Sequence, residues 1–395
     1  MRSSTSVYVH FPWCLAKCPY CDFVSYAAPR ESIDHVGYAD AVIRELAVRS
    51  AAAEFGRAHI TTIFFGGGTP SLWSAAELGR VLAVIREAFD VAHDAEVTVE
   101  CNPTSLDREH ALRLRDAGVN RLSVGVQALD NDELRYLGRL HDEKGALSVL
   151  ESVVDVPGLR VSGDLIFGLP DQAAETAQSH ARRLADVGLA HMSCYELTIE
   201  PGTRFGELAK RGRLPRADDA RVIESFLAID ELLTARGLRH YEISNYARPG
   251  QEARHNLGYW HGDPYVGVGT AAYGFLRDRT AGAAAHGFRY RNEPLPAKYM
   301  QHAPMSARGA VAEPLDAETM LRERIMLGLR MADGMNVTAA EKDLGVTFMT
   351  RERTKDLAWL AERGRVTRDL VNGDVFLRIP KASWLYANDT AARLF

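Results

Sequence analysis

The chain has 395 residues, 46% of them hydrophobic and 25% charged, and a formal net charge of −5. That length exceeds one ordinary core and calls for two or three domains, or one large α/β unit with an appendage. The composition is that of a globular protein, and the charge offers no overall attraction for nucleic acid or anionic lipid. Five cysteines, three of them clustered, do not make a secreted disulfide framework. The opening MRSSTSVYVHFPW has no apolar run of signal-peptide length, and no stretch of about 18 apolar residues is present to span a bilayer. A reducing, cytoplasmic setting is expected.

In chain order, strands are expected over 6–11, 60–68, 96–103, 121–127, 159–170 and 191–201, all rich in Val, Ile, Phe or Thr. Helical periodicity falls between them, at 40–55, 75–89 and 107–118, with Gly118 as a C-cap. Strands alternating with helices imply right-handed crossovers and a parallel sheet. The expected fold is α/β: a partial (β/α)6-type barrel with its chemistry at the C-terminal strand ends. Beyond residue 202 the pattern changes. A helix is expected over 221–237, stopped by Gly237. The following 238–275 is dense in aromatics, glycine and polar residues, and is expected to be a poor core element that presents a surface for a flat ligand. Residues 276–315 are expected to be a connector. Residues 316–395 read as three helices and a hairpin turning at Asn372-Gly373, a small winged-helix-like domain without the basic groove of a nucleic-acid binder. Three domains follow: 1–202, 203–315 and 316–395. No fixed-period repeat or low-complexity tract is evident.

Cys14, Cys18 and Cys21 lie in CLAKCPYCDF, immediately after the first strand, with no second cysteine pair downstream. Zinc wants four ligands, which would require a fourth such as His10. Three thiolates at this spacing also suit three irons of a [4Fe–4S] cluster, leaving the fourth iron to a small chelating ligand. The residues alone leave both readings open.

The loop resembles the C-x3-C-x2-C signature of the radical S-adenosylmethionine (SAM) superfamily, with Tyr20 at its aromatic position. That resemblance implies a [4Fe–4S] cluster on Cys14, Cys18 and Cys21, with SAM on the fourth iron. It also implies an electron donor, whose electron breaks a sulfur–carbon bond to release a 5′-deoxyadenosyl radical. In GGGTP, Gly66, Gly67, Gly68 and Thr69 would hold the SAM ammonium; a tight strand-to-helix turn is the plainer account. Glu100, Gln127 and Asp164 fall near successive strand ends, and Arg139 follows in LGRLH. Carboxylates and amides suit a ribose diol, and an Arg fork suits a carboxylate.

The motifs VYVHFPWC, FFGGGTPS, ECNP, RLSVGVQ, LGRLH and DLIFGLP occur in the same order in the oxygen-independent coproporphyrinogen III oxidase-like group, and the resemblance covers essentially the whole chain. It implies that Tyr8 lies by the SAM methionyl group. Two departures set the chain apart from the oxidase itself. Phe23 stands where the oxidase has a cysteine, and Cys14 is almost at the start, where the oxidase carries a long extension. With HNLGYW (255–260), these features are similar to a heme-chaperone branch of the group. The resemblance implies binding of heme and its delivery to respiratory hemoproteins, with peripheral association at the membrane surface and a homodimer left open. The alternatives are radical chemistry on a tetrapyrrole and a zinc-stabilised binding protein. For heme, His255 is the candidate axial ligand, Tyr259 and Trp260 would cover a ring face, and Arg254 would meet a propionate. The plainer account has His255 and Asn256 hydrogen-bonding a loop onto the barrel. Tyr273 replaces a histidine that many relatives carry.

Overall fold

The computed structural model describes residues 4–52, 58–277, 286–302 and 311–395. The first strand, β1 (Ser4–Phe11), is followed by α1 (His35–Ala51), β2 (His59–Gly67), α2 (Ala75–Ala88), β3 (Asp90–Cys101) and α3 (Arg108–Asp116). Then come β4 (Arg121–Gln127), α4 (Asn131–Tyr136), α5 (Glu143–Val153), β5 (Arg160–Phe167), α6 (Ala174–Asp186) and β6 (His191–Glu196). Aspartates start several of these helices by accepting a backbone N–H that would otherwise lack a partner: Asp34 from Gly37, Asp107 from His110, Asp142 from Gly145. The expected helix over 40–55 begins earlier, at His35, and residues 53–55 of it lie outside the described residues. The third strand begins at Asp90 rather than 96, and the fifth and sixth end at Phe167 and Glu196, before the loops at Pro170 and Pro201.

Strands β1 to β6 are parallel and adjacent in sequence order, as an α/β barrel requires. The sheet stays open. Val7, Val9, Phe11, Ile63, Phe65, Val97 and Val99 pack outward against the helices. Their alternate neighbours Ser6, Tyr8, His10, Thr62, Glu96, Thr98 and Glu100 point the other way, into a polar lumen.

After β6 come α7 (Arg204–Lys210), α8 (Asp219–Ala235), β7 (Arg239–Glu242), β8 (Asn245–Ala247), α9 (Arg254–Trp260), β9 (Tyr265–Gly269), β10 (Tyr273–Arg277), β11 (Gly287–Arg291), α10 (Pro296–Gln301) and β12 (Val311–Leu315). The expectations for 238–275 and 276–315 are corrected here. Strand β9 pairs in parallel with β1, Val7 opposite Val266, and β10, β11 and β12 extend that edge antiparallel. Strands β8 and β7 extend the other edge beyond β6, giving twelve strands in one sheet among the described residues. Tyr241, Tyr246, Val266 and Val268 are core residues, so 238–275 contributes to the interior. The described part of the connector is likewise structured; its residues 278–285 and 303–310 lie outside the described residues. A buried network holds this edge to α1: Glu45 accepts from Arg49, Asn292, the Tyr299 hydroxyl and the Gly269 N–H.

The C-terminal part has its own core, around Leu321, Ile325, Leu344, Phe348, Leu360 and Leu377. It comprises α11 (Ala317–Gly328), β13 (Met335–Asn336), α12 (Val337–Leu344), α13 (Arg351–Glu362), β14 (Thr367–Val371), β15 (Asp374–Arg378) and α14 (Ala387–Ala392). Asn372 and Gly373 take φ of 53° and 92°, the left-handed pair that a two-residue hairpin demands. Helices α11, α12 and α13 and a small sheet ordered β13-β15-β14 make the winged-helix-like arrangement, which α14 follows.

Candidate radical SAM site

The cysteine loop leaves the C-terminal end of β1 and returns beside it. Its outgoing limb pairs with its returning limb, Trp13 opposite Tyr26 and Cys14 opposite Ala27. His10 latches the two ends together. Its Nε2 lies 2.8 Å from the Val24 carbonyl and its Nδ1 3.0 Å from the Tyr8 hydroxyl, and burial lowers its pKa to about 4. Cys14, Cys18 and Cys21 are partly exposed and free. The Thr69 hydroxyl donates to the Cys14 sulfur at 3.3 Å, and the Arg139 guanidinium to the Cys18 sulfur at 3.6 Å. Burial raises the pKa of Cys14, and that of Cys21 to about 11, so without a metal the pocket favours thiols over thiolates at neutral pH.

The glycines of GGGTP have separate reasons. Gly67 has φ +109°, and a Cβ there would lie 2.5 Å from the His10 ring. A Cβ on Gly68 would meet the backbone oxygens of Trp13 and Phe11 at 2.6 and 2.9 Å. The Gly68 and Thr69 N–H groups donate to those same carbonyls, zipping the stretch onto the root of the cysteine loop. A Cβ on Gly66 would fill lumen space between Tyr8, Phe64 and Glu100.

The rim carries the other expected residues. Glu100 accepts from the Gly67 N–H at 3.1 Å, and Asp164 from Ser123 at 3.1 Å. Both carboxyls are half-buried with raised pKa values, Glu100 to about 7 through desolvation and the nearby Asp164 charge. Gln127 sits at a bulge at the end of β4 with φ +73°, a strained backbone that is seldom kept without a use. Arg139 donates to the Gly125 carbonyl at 2.8 Å, while its Nε–H is buried with no partner. Tyr20 packs with Leu134, Leu137, Ile166 and Leu169 beneath the loop. Tyr8, Glu100, Gln127, Arg139, Asp164 and the cysteine loop therefore share one rim.

These residues fit the expected cofactors. Three accessible thiols, an unfilled guanidinium N–H, a glycine-lined gap and two carboxyls are the donors and acceptors that a cluster-bound amino acid and a ribose require. Cys14, Cys18 and Cys21 would hold the cluster, which supplies one-electron chemistry when bound. Zinc with His10 as a ligand meets an obstacle, since both His10 ring nitrogens are hydrogen-bonded. Among the described residues, no three His, Cys, Asp or Glu side chains gather as a single-ion site.

The four heme candidates lie at the opposite, N-terminal end of the lumen. Helix α9 plugs that mouth. Its first N–H groups, from Arg254 and His255, donate to the two oxygens of Glu96, which Arg160 also holds at 2.5 Å. The Arg254 side chain is directed to Asp94. His255 is 1% exposed, with Nδ1 2.8 Å from the Thr62 hydroxyl and Nε2 3.0 Å from the Tyr259 hydroxyl. The plainer account of His255 is the one this geometry matches: a helix fastened into a barrel. Tyr259 and Trp260 both line a cleft of about 350 Å³, together with Tyr265, Phe275, Met320 and Leu327. Tyr273 is exposed at the start of β10, with Arg291 5.2 Å from its ring centroid.

Residues 8–184 match the family model for the radical SAM superfamily, and residues 315–370 that for the HemN C-terminal domain. The chain is 41% identical to the heme chaperone HemW of Escherichia coli (strain K12) over 68% of its own length and 69% of the relative's. It is 33% identical to the heme chaperone HemW of Lactococcus lactis, over 88% and 87% respectively. This chain belongs to the HemW family of radical SAM proteins. A solved structure, that of the Escherichia coli coproporphyrinogen III oxidase HemN, described as a radical SAM enzyme, superposes with a TM-score of 0.80 at 22% identity. The match covers 100% of this chain and 90% of that one, and establishes a shared fold.

Three contributors escaped the sequence reading: His10 as the loop latch, and Glu96 and Thr62 as the seat of α9. The signal was present in EVTVE (96–100), where polar residues alternate with valines in a strand whose other face is core.

Proposed function

We propose that the protein is a heme chaperone of the HemW type. It binds heme, carries a [4Fe–4S] cluster on Cys14, Cys18 and Cys21 with SAM on the fourth iron, and delivers heme to respiratory hemoproteins. The observation that carries this reading is the 41% identity to a heme chaperone over about two thirds of both chains. Phe23 in place of the oxidase's cysteine supports it. Heme contact falls to the aromatic end of α9, where Trp260 meets the cleft, because both His255 ring nitrogens are in use.

The test is anaerobic reconstitution followed by heme titration of wild type, Trp260→Ala and His255→Ala, then transfer of bound heme to an apo-cytochrome. Stoichiometric binding that weakens in Trp260→Ala, with transfer, supports the proposal. Absence of heme binding by the wild type overturns it. Sustained conversion of coproporphyrinogen III with SAM and reductant would assign the chain to tetrapyrrole chemistry instead.

A further inference from the structure

We propose that the segment Thr203–Arg216 is the docking surface for a small acidic one-electron carrier protein that reduces the cluster. The inference rests on the cluster reading above. In a chain of net charge −5, this segment carries Arg204, Lys210, Arg211, Arg213 and Arg216 against a single acidic residue, Glu207. All five basic side chains are exposed. Lys210 pairs with Glu207; among the described residues the four arginines have no ion-pair partner. The acidic Asp218 that follows is occupied as the N-cap of α8, accepting from the Ala220 N–H.

The segment is fastened to the cysteine loop. The Phe205 N–H donates to the Pro19 carbonyl at 2.9 Å, between Cys18 and Cys21, and the Phe205 ring packs near Tyr20 and Tyr136. The Tyr136 hydroxyl donates to the Pro215 carbonyl at 3.0 Å, holding the far end of the segment against α4. Exposed apolar side chains flank the loop: Phe23 is 57% exposed, and Leu140, which shares a crevice with Cys18, is 62% exposed. Apolar anchors beside a charged rim form the anatomy of a transient protein interface, and the rim sets the encounter rate and its salt dependence.

Charge complementarity selects an acidic partner, and adjacency to the three thiols selects one with business at the cluster. A lipid surface fits less well. No large apolar side chain between Thr203 and Arg216 is exposed, so the segment lacks the apolar face with which an amphipathic helix enters a bilayer. The step served transfers one electron: the carrier is oxidised by one and the cluster reduced by one, with no bond made or broken.

The probe is a flavodoxin in its hydroquinone form, with anaerobically reconstituted wild type and a Lys210→Glu, Arg211→Glu, Arg213→Glu variant. Direct binding by calorimetry should weaken at least about tenfold for wild type between low and physiological salt, since exposed charge pairs are screened. The variant should bind at least about tenfold more weakly at low salt. Cluster reduction by flavodoxin should slow in proportion in the variant, while reduction by dithionite proceeds at the wild-type rate. Equal binding and equal flavodoxin-driven reduction of both proteins would overturn the proposal. So would loss of sedimentation with phosphatidylserine vesicles in the variant when its flavodoxin binding is unchanged, which would make the surface lipid-facing. A wild type that takes up no iron yet binds flavodoxin in a salt-sensitive, variant-sensitive way would count against the cluster reading and for the surface.

Discussion

His255 lies nearly flat against Phe64, with ring centroids 4.9 Å apart and planes 23° apart, and Tyr8 stacks on the same phenyl ring at 6.3 Å. An aromatic column thus joins the rim that carries the cysteine loop to the helix that plugs the far mouth. His255 is a structural member of it, with a hydrogen bond at each nitrogen.

Removing that ring takes the Tyr259 hydroxyl's partner and one of the two partners of the Thr62 hydroxyl, which keeps Ser6, and opens a cavity. His255→Ala should therefore lower unfolding free energy by about 2–4 kcal/mol. Urea denaturation checks the value, and heme affinity measured on the folded fraction should stay near that of wild type. A His255→Ala protein of wild-type stability that no longer binds heme would return the residue to the role of axial ligand.

Gly67→Ala is expected to damage the cluster site without touching a cysteine. The new methyl meets His10 in a backbone conformation that L-residues rarely adopt, and His10 is what holds the Val24 carbonyl at the loop's return. Iron bound after anaerobic reconstitution should fall below about half of the wild-type content, since a thiolate cluster site needs its loop ordered. Gly202→Ala, with φ +83° but nothing within 4 Å of the added Cβ, should retain full iron content. Equal loss in both would trace the effect to backbone strain alone.

Local features of this fold are legible in the sequence, and those set by distant partners are not. The barrel strands and the rim residues were legible because period-two alternation and dense local motifs such as CLAKCPYCDF and GGGTP depend on near neighbours in sequence. The fate of 238–315 was not, because its burial comes from distant partners. Strand β9 is core only because β1, more than 250 residues earlier, offers an open edge. His255 is buried only because Glu96 and Thr62 receive it. A segment rich in aromatics and glycine has the same composition whether it faces a ligand or a neighbouring strand.

SAM affinity should depend on pH through Glu100. Its pKa is raised to about 7, and a ribose diol needs the ionised form as acceptor. Below pH 7 binding must expel a proton, so affinity should rise about tenfold per pH unit up to neutrality and level off above it. Glu100→Gln should bind more weakly and with a flat profile. Equilibrium dialysis of SAM across pH 5.5 to 8.5 measures both slopes; a flat wild-type profile would remove Glu100 from the SAM site.

Acid should weaken the barrel plug through His255 itself. Its pKa is lowered from 6.5 to about 3 by desolvation, so the folded state keeps it neutral where the unfolded chain protonates it. The unfolded state then binds the extra proton, and stability falls as pH drops below 6.5 toward 3. The contribution is complete above about 6.5 and diminishes by about 1.4 kcal/mol per pH unit below it. Glu100 and Glu133, both raised to about 7, act in the opposite sense, so the whole-protein curve mixes the two. The comparison with His255→Gln isolates the single site. The stability advantage of wild type over that variant should shrink by about one proton's worth per pH unit between pH 6 and 5. An advantage that stays constant over this range would mean that His255 is protonated in the folded protein and the α9 plug is open to water.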